Sequence, residues 1–599
     1  MAQPGIALDR FVQQNPGEAA ERLRALVEED NTNAEAWRLL GRALRHLGRD
    51  DEAAEAEVES VRATAHEPEM LAIATALNTG DLPRAETLLR GRLRAQPLDV
   101  AAIRLMAELA LRVGRLRDAE TLLRRALELA PGFVAARANL ASLLYRQNRF
   151  AEAASELDRV LESGEANPSS RNLLAVARGR IGDYDEALRL YEELTPAFPD
   201  HAKLWMSYGH ILKTVGRLEE SVTAYRRALA AQPALGEVWW SLANLKTVQF
   251  GDEDVAAMEA ALDGGEDLAP EDRLHLHFAL GKAWADAGEA EKAFHHYAAG
   301  NALRKQEQGY DPEAVTAQVD RTIATLTPEF LAVREDWGDR SPDPIFIIGL
   351  PRAGSTLVEQ ILSCHSQVEG TMELPDIPFL AAREARAQGL VPRDWPGAVK
   401  AMDRDKLAAL GAEYLERTRV QRKTDKPFYI DKLPNNWAYA GLIHLILPNA
   451  KLIDARRHPL DCCFSNFRQH FAKGQAFTYD LEDIGRYYAD YVQAMDHYDR
   501  VLPGRVHRVI HERLLEEPEA EVRAVLDYLG LPFEAACLEF YRSSRPVRTA
   551  SSEQVRRPLN KDGVGQWQPF EPWLEPLRRA LGDLPETYAA RERAVTQMS

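Results

Sequence analysis

The sequence predicts two unlike halves in one chain: an N-terminal all-α solenoid, then an α/β domain built on a parallel sheet. Three observations predict this. The first half repeats itself with a fixed period of 34 residues. Apolar runs of β type begin only beyond about residue 340, where they alternate with helical segments. A strand, a glycine-containing loop and a helix follow one another from Asp343. The length of 599 residues and the 45% hydrophobic content suit several soluble domains with real cores.

The repeat is legible in four coincident series. Gly80, Gly114, Asn148, Gly182 and Gly216 stand 34 residues apart. Ala85, Ala119, Ala153, Ala187 and Ser221 keep the same step, as do Leu89, Leu123, Leu157, Tyr191 and Tyr225. Pro97 and Pro131 share a phase that Pro199 and Pro233 rejoin. Each unit reads as a helix pair. Gly or Asn takes the left-handed conformation that ends the first helix. A small residue lets the helices approach, and proline refuses to continue the second helix. Trp37, Leu40, Gly41, Gly48 and Ala53 form an earlier copy. Trp284, Gly288, Ala293 and Tyr297 form a later one, beyond a degenerate stretch around Phe250–Asp267. These residues resemble the tetratricopeptide repeat. That resemblance implies a right-handed superhelix whose units are stabilised by their neighbours and whose groove binds a protein or peptide, either a partner or the acceptor itself.

Composition narrows the function. The net charge of −18 opposes general nucleic-acid binding, which draws its affinity from Lys and Arg on phosphates. It leaves room for one basic pocket. No signal peptide is evident at the start, and no apolar run reaches the roughly 20 residues of a membrane span. Cys364, Cys462, Cys463 and Cys537 form no CxxC pair. Reduced thiols, no structural metal and a cytoplasmic location are expected.

In the second half, Ile345–Ile348 is a strand candidate, Gly349–Ser355 a turn, and Thr356 opens a helix. Loop amides and the first helical turn point donors at an anion. Gly349, Gly354 and Thr356 fit the P-loop template G-x-x-x-x-G-K-[ST], but Ser355 occupies the lysine position. That weakens a phosphotransferase reading and leaves Arg352 as the cation of a P-loop-like cradle. A second strand–helix junction follows in KLIDARRHPLDCCFSNFRQHF, where Arg457 precedes a helix opening near Pro459 and Ser465 lies eight residues on.

The stretch Pro351-Arg352-Ala353-Gly354-Ser355-Thr356 resembles the 5′-phosphosulfate loop of sulfotransferases, P-R-[ST]-G-[ST]-T, with Ala353 replacing a hydroxyl residue. The resemblance implies that this loop holds the phosphosulfate end of 3′-phosphoadenylyl sulfate (PAPS), a cosubstrate, and that Arg457 and Ser465 hold its 3′-phosphate. Arg456 competes with Arg457, and the spacing to Ser465 favours Arg457. HSQVEGTMELPD resembles the tyrosylprotein sulfotransferase segment that carries a catalytic Glu. It implies Glu373 as base, with Glu369 the local rival. Lys432, in FYIDKLPNNW, resembles the lysine that supports the transferring group. SSEQVRRP resembles the S-[ST]-[DE]-Q-V-x-[KR]-P segment and implies that Ser551 acts in catalysis and Ser552 touches the donor. His511 stands where the family has a Tyr against the donor. Gln566 stands where the family has a Lys before Trp567, and Arg556, Arg557 and Lys561 are candidates for the missing charge. His444, His470 and His497 read as structural.

The resemblance spans about Pro344 to Trp567 and, with the repeats, is similar to bacterial tetratricopeptide-repeat sulfotransferases. The expected organisation is a repeat array over 1–310, a helical linker over 311–342 and a PAPS-dependent sulfotransferase domain over 343–599, with no metal. Protein tyrosine is the expected acceptor. A glycan or small-molecule hydroxyl is one alternative. A repeat scaffold with a non-catalytic nucleotide-binding domain is another.

Overall fold

The structure, a computed structural model, describes residues 10–164, 167–245, 248–264, 268–471, 474–543, 545, 547, 549 and 554–590. It divides into two compact units, Met1–Ala197 and Phe198–Ser599.

In the first unit, helices such as Leu82–Ala95, Val100–Arg112, Leu116–Leu129, Val134–Arg146 and Phe150–Glu162 follow one another through short turns. Gly80, Gly114, Asn148 and Gly182 all adopt positive φ, from 60° to 84°. This is the left-handed turn that the 34-residue series predicts, and Asn148 takes it as the glycines do. Ala85, Ala119, Ala153 and Ala187 are completely buried, as are Leu89, Leu123, Leu157 and Tyr191.

The second unit begins with the last repeats. Gly216 and Gly288 carry the same turn, and Tyr225 and Tyr297 are buried four positions after Ser221 and Ala293. Each tyrosine ring lies on a glycine of the facing helix. A Cβ at Gly209 would sit 2.6 Å from Tyr225, and one at Gly281 would sit 2.7 Å from Tyr297. The final pair, α1 (Pro270–Asp286) and α2 (Ala290–Gln308), also packs against the α/β domain. Phe294 stacks on Phe467 and Trp573 at centroid distances of 5.9 and 5.3 Å, and Asn301 Nδ2 donates to the Phe467 carbonyl at 2.9 Å.

The α/β domain follows. Strand β1 (Pro344–Gly349) leads into α3 (Ser355–Ser363), then come β2 (Val368–Gly370), β3 (Phe428–Lys432), β4 (Lys451–Arg456), α4 (Pro459–Phe467), α5 (Leu481–Val501) and β5 (Val506–Ile510). All four strand pairings are parallel, in the order β2-β3-β1-β4-β5. Every residue of β1 is buried, as expected for a parallel strand covered on both faces. Ile345 and Ile347 face Val358, Ile361 and Leu526, while Phe346 and Ile348 belong to the core with Ile443 and Met495. Each such side chain stabilises by about 1.5–3 kcal/mol.

Candidate active site

The sheet order reverses beside β1: the chain proceeds to β2 and β3 on one side and to β4 and β5 on the other. Ligands of such sheets bind in the crevice beyond the carboxyl ends of the strands at this switch point. Each strand delivers one candidate residue there. Arg352 follows β1, Glu373 follows β2, Lys432 ends β3, Arg457 follows β4 and His511 follows β5.

The loop after β1 is tightly built. Gly349 has φ 134°, and a Cβ there would run into the Ala455 carbonyl of β4. Arg352 is a non-glycine residue at φ 66°, a conformation that persists only where the surroundings enforce it. Asn466 Nδ2, from α4, donates to the Pro351 carbonyl at 2.8 Å, and Arg457 Nη1 donates to the Arg352 carbonyl at 3.0 Å. Arg352 Nε in turn donates to Ser465 Oγ at 3.1 Å, and its Nη2 donates to Gln554 Oε1 at 3.2 Å. Arg352, Arg457 and Ser465, drawn from two separate motifs, thus meet. Thr356 Oγ1 lies 3.2 Å from Thr549 Oγ1. A Cβ at Gly354 would sit 2.8 Å from His511 Nδ1. Pro351 and Ala353 are buried behind the loop.

These groups face a cavity of about 490 Å³, whose lining includes Arg352, Gly354, Ser355, Thr356, Arg457, Ser465 and His511. Arg468 joins them. Burial, with Arg457 and Arg468 nearby, pushes Arg352 down to about 10, and burial likewise lowers Arg468. Burial first, then Arg457 and Arg352, hold His511 down at about 3, so its imidazole is neutral near pH 7. Arg457 Nε, Arg468 Nε and His511 Nδ1 have no hydrogen-bond partner among the described residues. Several guanidinium groups sharing one partly buried cavity disfavour one another. A multiply charged anion relieves that repulsion with charge-assisted hydrogen bonds. The residues present therefore fit a phosphorylated nucleotide.

Glu373 and Lys432 form a pair of their own, outside the cavity lining. Lys432 Nζ lies 2.6 Å from Glu373 Oε1; the lysine side chain is 1% exposed and the glutamate 46%. Behind them Glu359, 3% exposed, lies 4.0 Å from Lys432 and pairs with Arg545. The two rivals named in the sequence have other roles. Glu369 accepts from the amides of Lys423 and Thr424 at 2.6 and 3.1 Å, bracing a loop. Arg456 bonds Tyr491 and Asp454 inside the core at 3.1 and 2.9 Å. Ser551 and Ser552 lie outside the described residues.

Of the charges considered in place of the family lysine at Gln566, Arg557 lines the cavity. Arg556 is turned to the Thr214 carbonyl at 3.3 Å, and the Lys561 side chain is 66% exposed beside Glu516. Arg468 was not singled out in the sequence, yet it bonds the Gln566 side chain. Its signal was present: it lies three positions beyond Ser465, one helical turn along the same face. Elsewhere, Glu271, His275 and His470 bring potential metal-ligand atoms within 4.8 Å of one another. There Arg304 already supplies a cation, at 2.8 Å from Glu271 and 3.3 Å from His470 Nε2.

Comparison with known proteins agrees with this geometry. Residues 344–535 match the model of the sulfotransferase family, and residues 5–68, 110–177 and 172–244 match tetratricopeptide-repeat models. The chain thus carries tetratricopeptide repeats followed by a sulfotransferase-family domain. An uncharacterized protein of Aquifex aeolicus (strain VF5) is 34% identical over 402 residues, 66% of this chain; the match spans 52% of that relative's own length. Protein-tyrosine sulfotransferase A of Caenorhabditis elegans is 25% identical over 45% of this chain and 70% of its own. A solved sulfotransferase domain from the Synechococcus PCC 7002 olefin synthase is 20% identical over 39% of this chain and 95% of its own, with a TM-score of 0.27. No helix among the described residues is long and apolar enough to cross a membrane.

Proposed function

We propose that this protein transfers a sulfuryl group from PAPS to a hydroxyl acceptor, with protein tyrosine the favoured acceptor. The convergence of Arg352, Arg457, Arg468 and Ser465 on one cavity at the β1/β4 switch point carries the reading. The likeness to distant protein-tyrosine sulfotransferases supports the choice of acceptor.

In this reading the acceptor oxygen attacks sulfur while the bond from sulfur to the bridging phosphate oxygen breaks. The acceptor proton passes to the Glu373 carboxylate. The electron pair of the broken bond leaves on 3′-phosphoadenosine 5′-phosphate. Arg352 and the first-turn amides of α3 stabilise the charge that grows on the leaving phosphate, usually the largest catalytic effect. Lys432 fixes the carboxylate that serves as base and, in this reading, shares charge on the transferring group. Arg457 and Ser465 grip the 3′-phosphate. The repeats recruit the acceptor or a partner polypeptide. Ser355 in place of the P-loop lysine argues against transfer from a nucleoside triphosphate.

Calorimetric titration with PAPS tests the donor site. Wild type is expected to bind, and Arg352→Ala to bind at least tenfold more weakly, the weight of one charge-assisted hydrogen bond of about 1.5–3 kcal/mol. Equal binding by folded wild type and Arg352→Ala would remove this loop from the donor site.

A further inference from the structure

We infer that Lys282, on a repeat helix, is a donor-binding residue: it supplies the cation that Gln566 does not, at the 3′-phosphate end of the cavity. This rests on the PAPS reading above and adds that the repeat array forms part of the nucleotide site.

Three observations carry the inference. First, the repeat helix α1 forms part of the cavity wall, where Lys282 and Asp286 stand with Arg352, Arg457 and Arg468. Second, the loop that would carry the family lysine is tied to this end of the cavity. Arg457 bonds the Gly563 carbonyl, and Arg468 bonds Gln566 three residues later. Asp286 acts electrostatically on Arg468, so the Lys282–Asp286 pair and this loop share one field. Third, Lys282 is unlike an ordinary surface lysine of the same helix pair. Its side chain is 16% exposed beside Asp286, whereas Lys292 is 55% exposed beside Glu289.

An i,i+4 pair of this kind adds a few tenths of a kcal/mol to a helix, so fold stability gives Lys282 little reason to be sheltered. A lysine is a flexible point charge with three donors, suited to pass from Asp286 to a phosphate. The wall that carries it is held in place. Its partner helix α2 stacks Phe294 on Trp573 and anchors Asn301 on the Phe467 carbonyl, the last residue of α4, the helix that bears Ser465.

The test titrates full-length protein with 3′-phosphoadenosine 5′-phosphate and with adenosine 5′-monophosphate, which lacks the 3′-phosphate. For Lys282→Met the affinity for the first is expected to fall about tenfold, with the second changed by less than about twofold. Lys282→Arg restores most of the loss, and Asp286→Asn tightens binding of the 3′-phosphorylated ligand by removing a competing carboxylate. If wild type binds 3′-phosphoadenosine 5′-phosphate, Arg457→Ala loses it and Lys282→Met keeps the wild-type ratio between the two ligands, the assignment of Lys282 is wrong and the donor reading stands. If folded wild type binds neither ligand, both fall.

Discussion

At the residue scale the site rests on a few contacts between side chains far apart in sequence. Arg352 and Arg457 were legible because each sits in a short motif at a strand end, and parallel pairing of β1 with β4 brings those ends together. Glu373 is a candidate by resemblance alone, and its geometry differs from that of its neighbour. It is half exposed and held by Lys432, whereas Glu369 is buried and spent on two backbone amides. Glu373→Gln is therefore expected to lower kcat by roughly 10²–10⁴-fold with PAPS affinity within about twofold of wild type. Single-turnover assays with calorimetry on the same variant check both. Turnover by Glu373→Gln at the wild-type rate would move the base elsewhere. Lys282 left no signal, because nothing in a repeat helix announces which cavity it will line once α2 docks on Phe467 and Trp573.

At the element scale the 34-residue series translated directly into structure, since each position had a single mechanical role, whether a left-handed turn, a small contact or a buried filler. What periodicity could not supply is where packing divides. The repeat array was expected to run to residue 310, but the compact units part at Ala197, because the last repeats bury aromatic rings against the α/β domain. One such contact contributes to the pH dependence of stability. His470, beyond α4, lies against His275 of α1 at a centroid distance of 4.7 Å. Burial above all holds His470 down at about 2, and it lowers His275 as well. A histidine with a depressed folded-state value adds its full stability above about pH 6.5. That stability is lost as pH falls toward the folded-state value. Asp490, raised to about 6 by burial, works in the opposite direction below pH 6. Melting of the full chain is expected to show stability falling from pH 6.5 to 5, by at most about 2 kcal/mol per histidine. His470→Gln is expected to flatten that slope; an unchanged slope would place the acid sensitivity elsewhere.

At the scale of the whole molecule, an acidic chain of net charge −18 brings Arg352, Arg457 and Arg468 to one cavity. A repeat array and a sulfotransferase-family domain share one chain, and the last repeats share the core of the second unit. An enzyme that recruits polypeptide substrates gains effective concentration from such a fusion. The most direct measurement is transfer of labelled sulfate from PAPS by the full-length protein to a pool of tyrosine-containing peptides, followed by analysis of the labelled residue. Wild type is expected to place label on tyrosine, and Arg352→Ala to place little. Wild type that is folded and binds PAPS but leaves the peptides unlabelled would contradict the tyrosine acceptor, and folded wild type that neither binds PAPS nor transfers its sulfate would contradict the sulfotransferase reading itself.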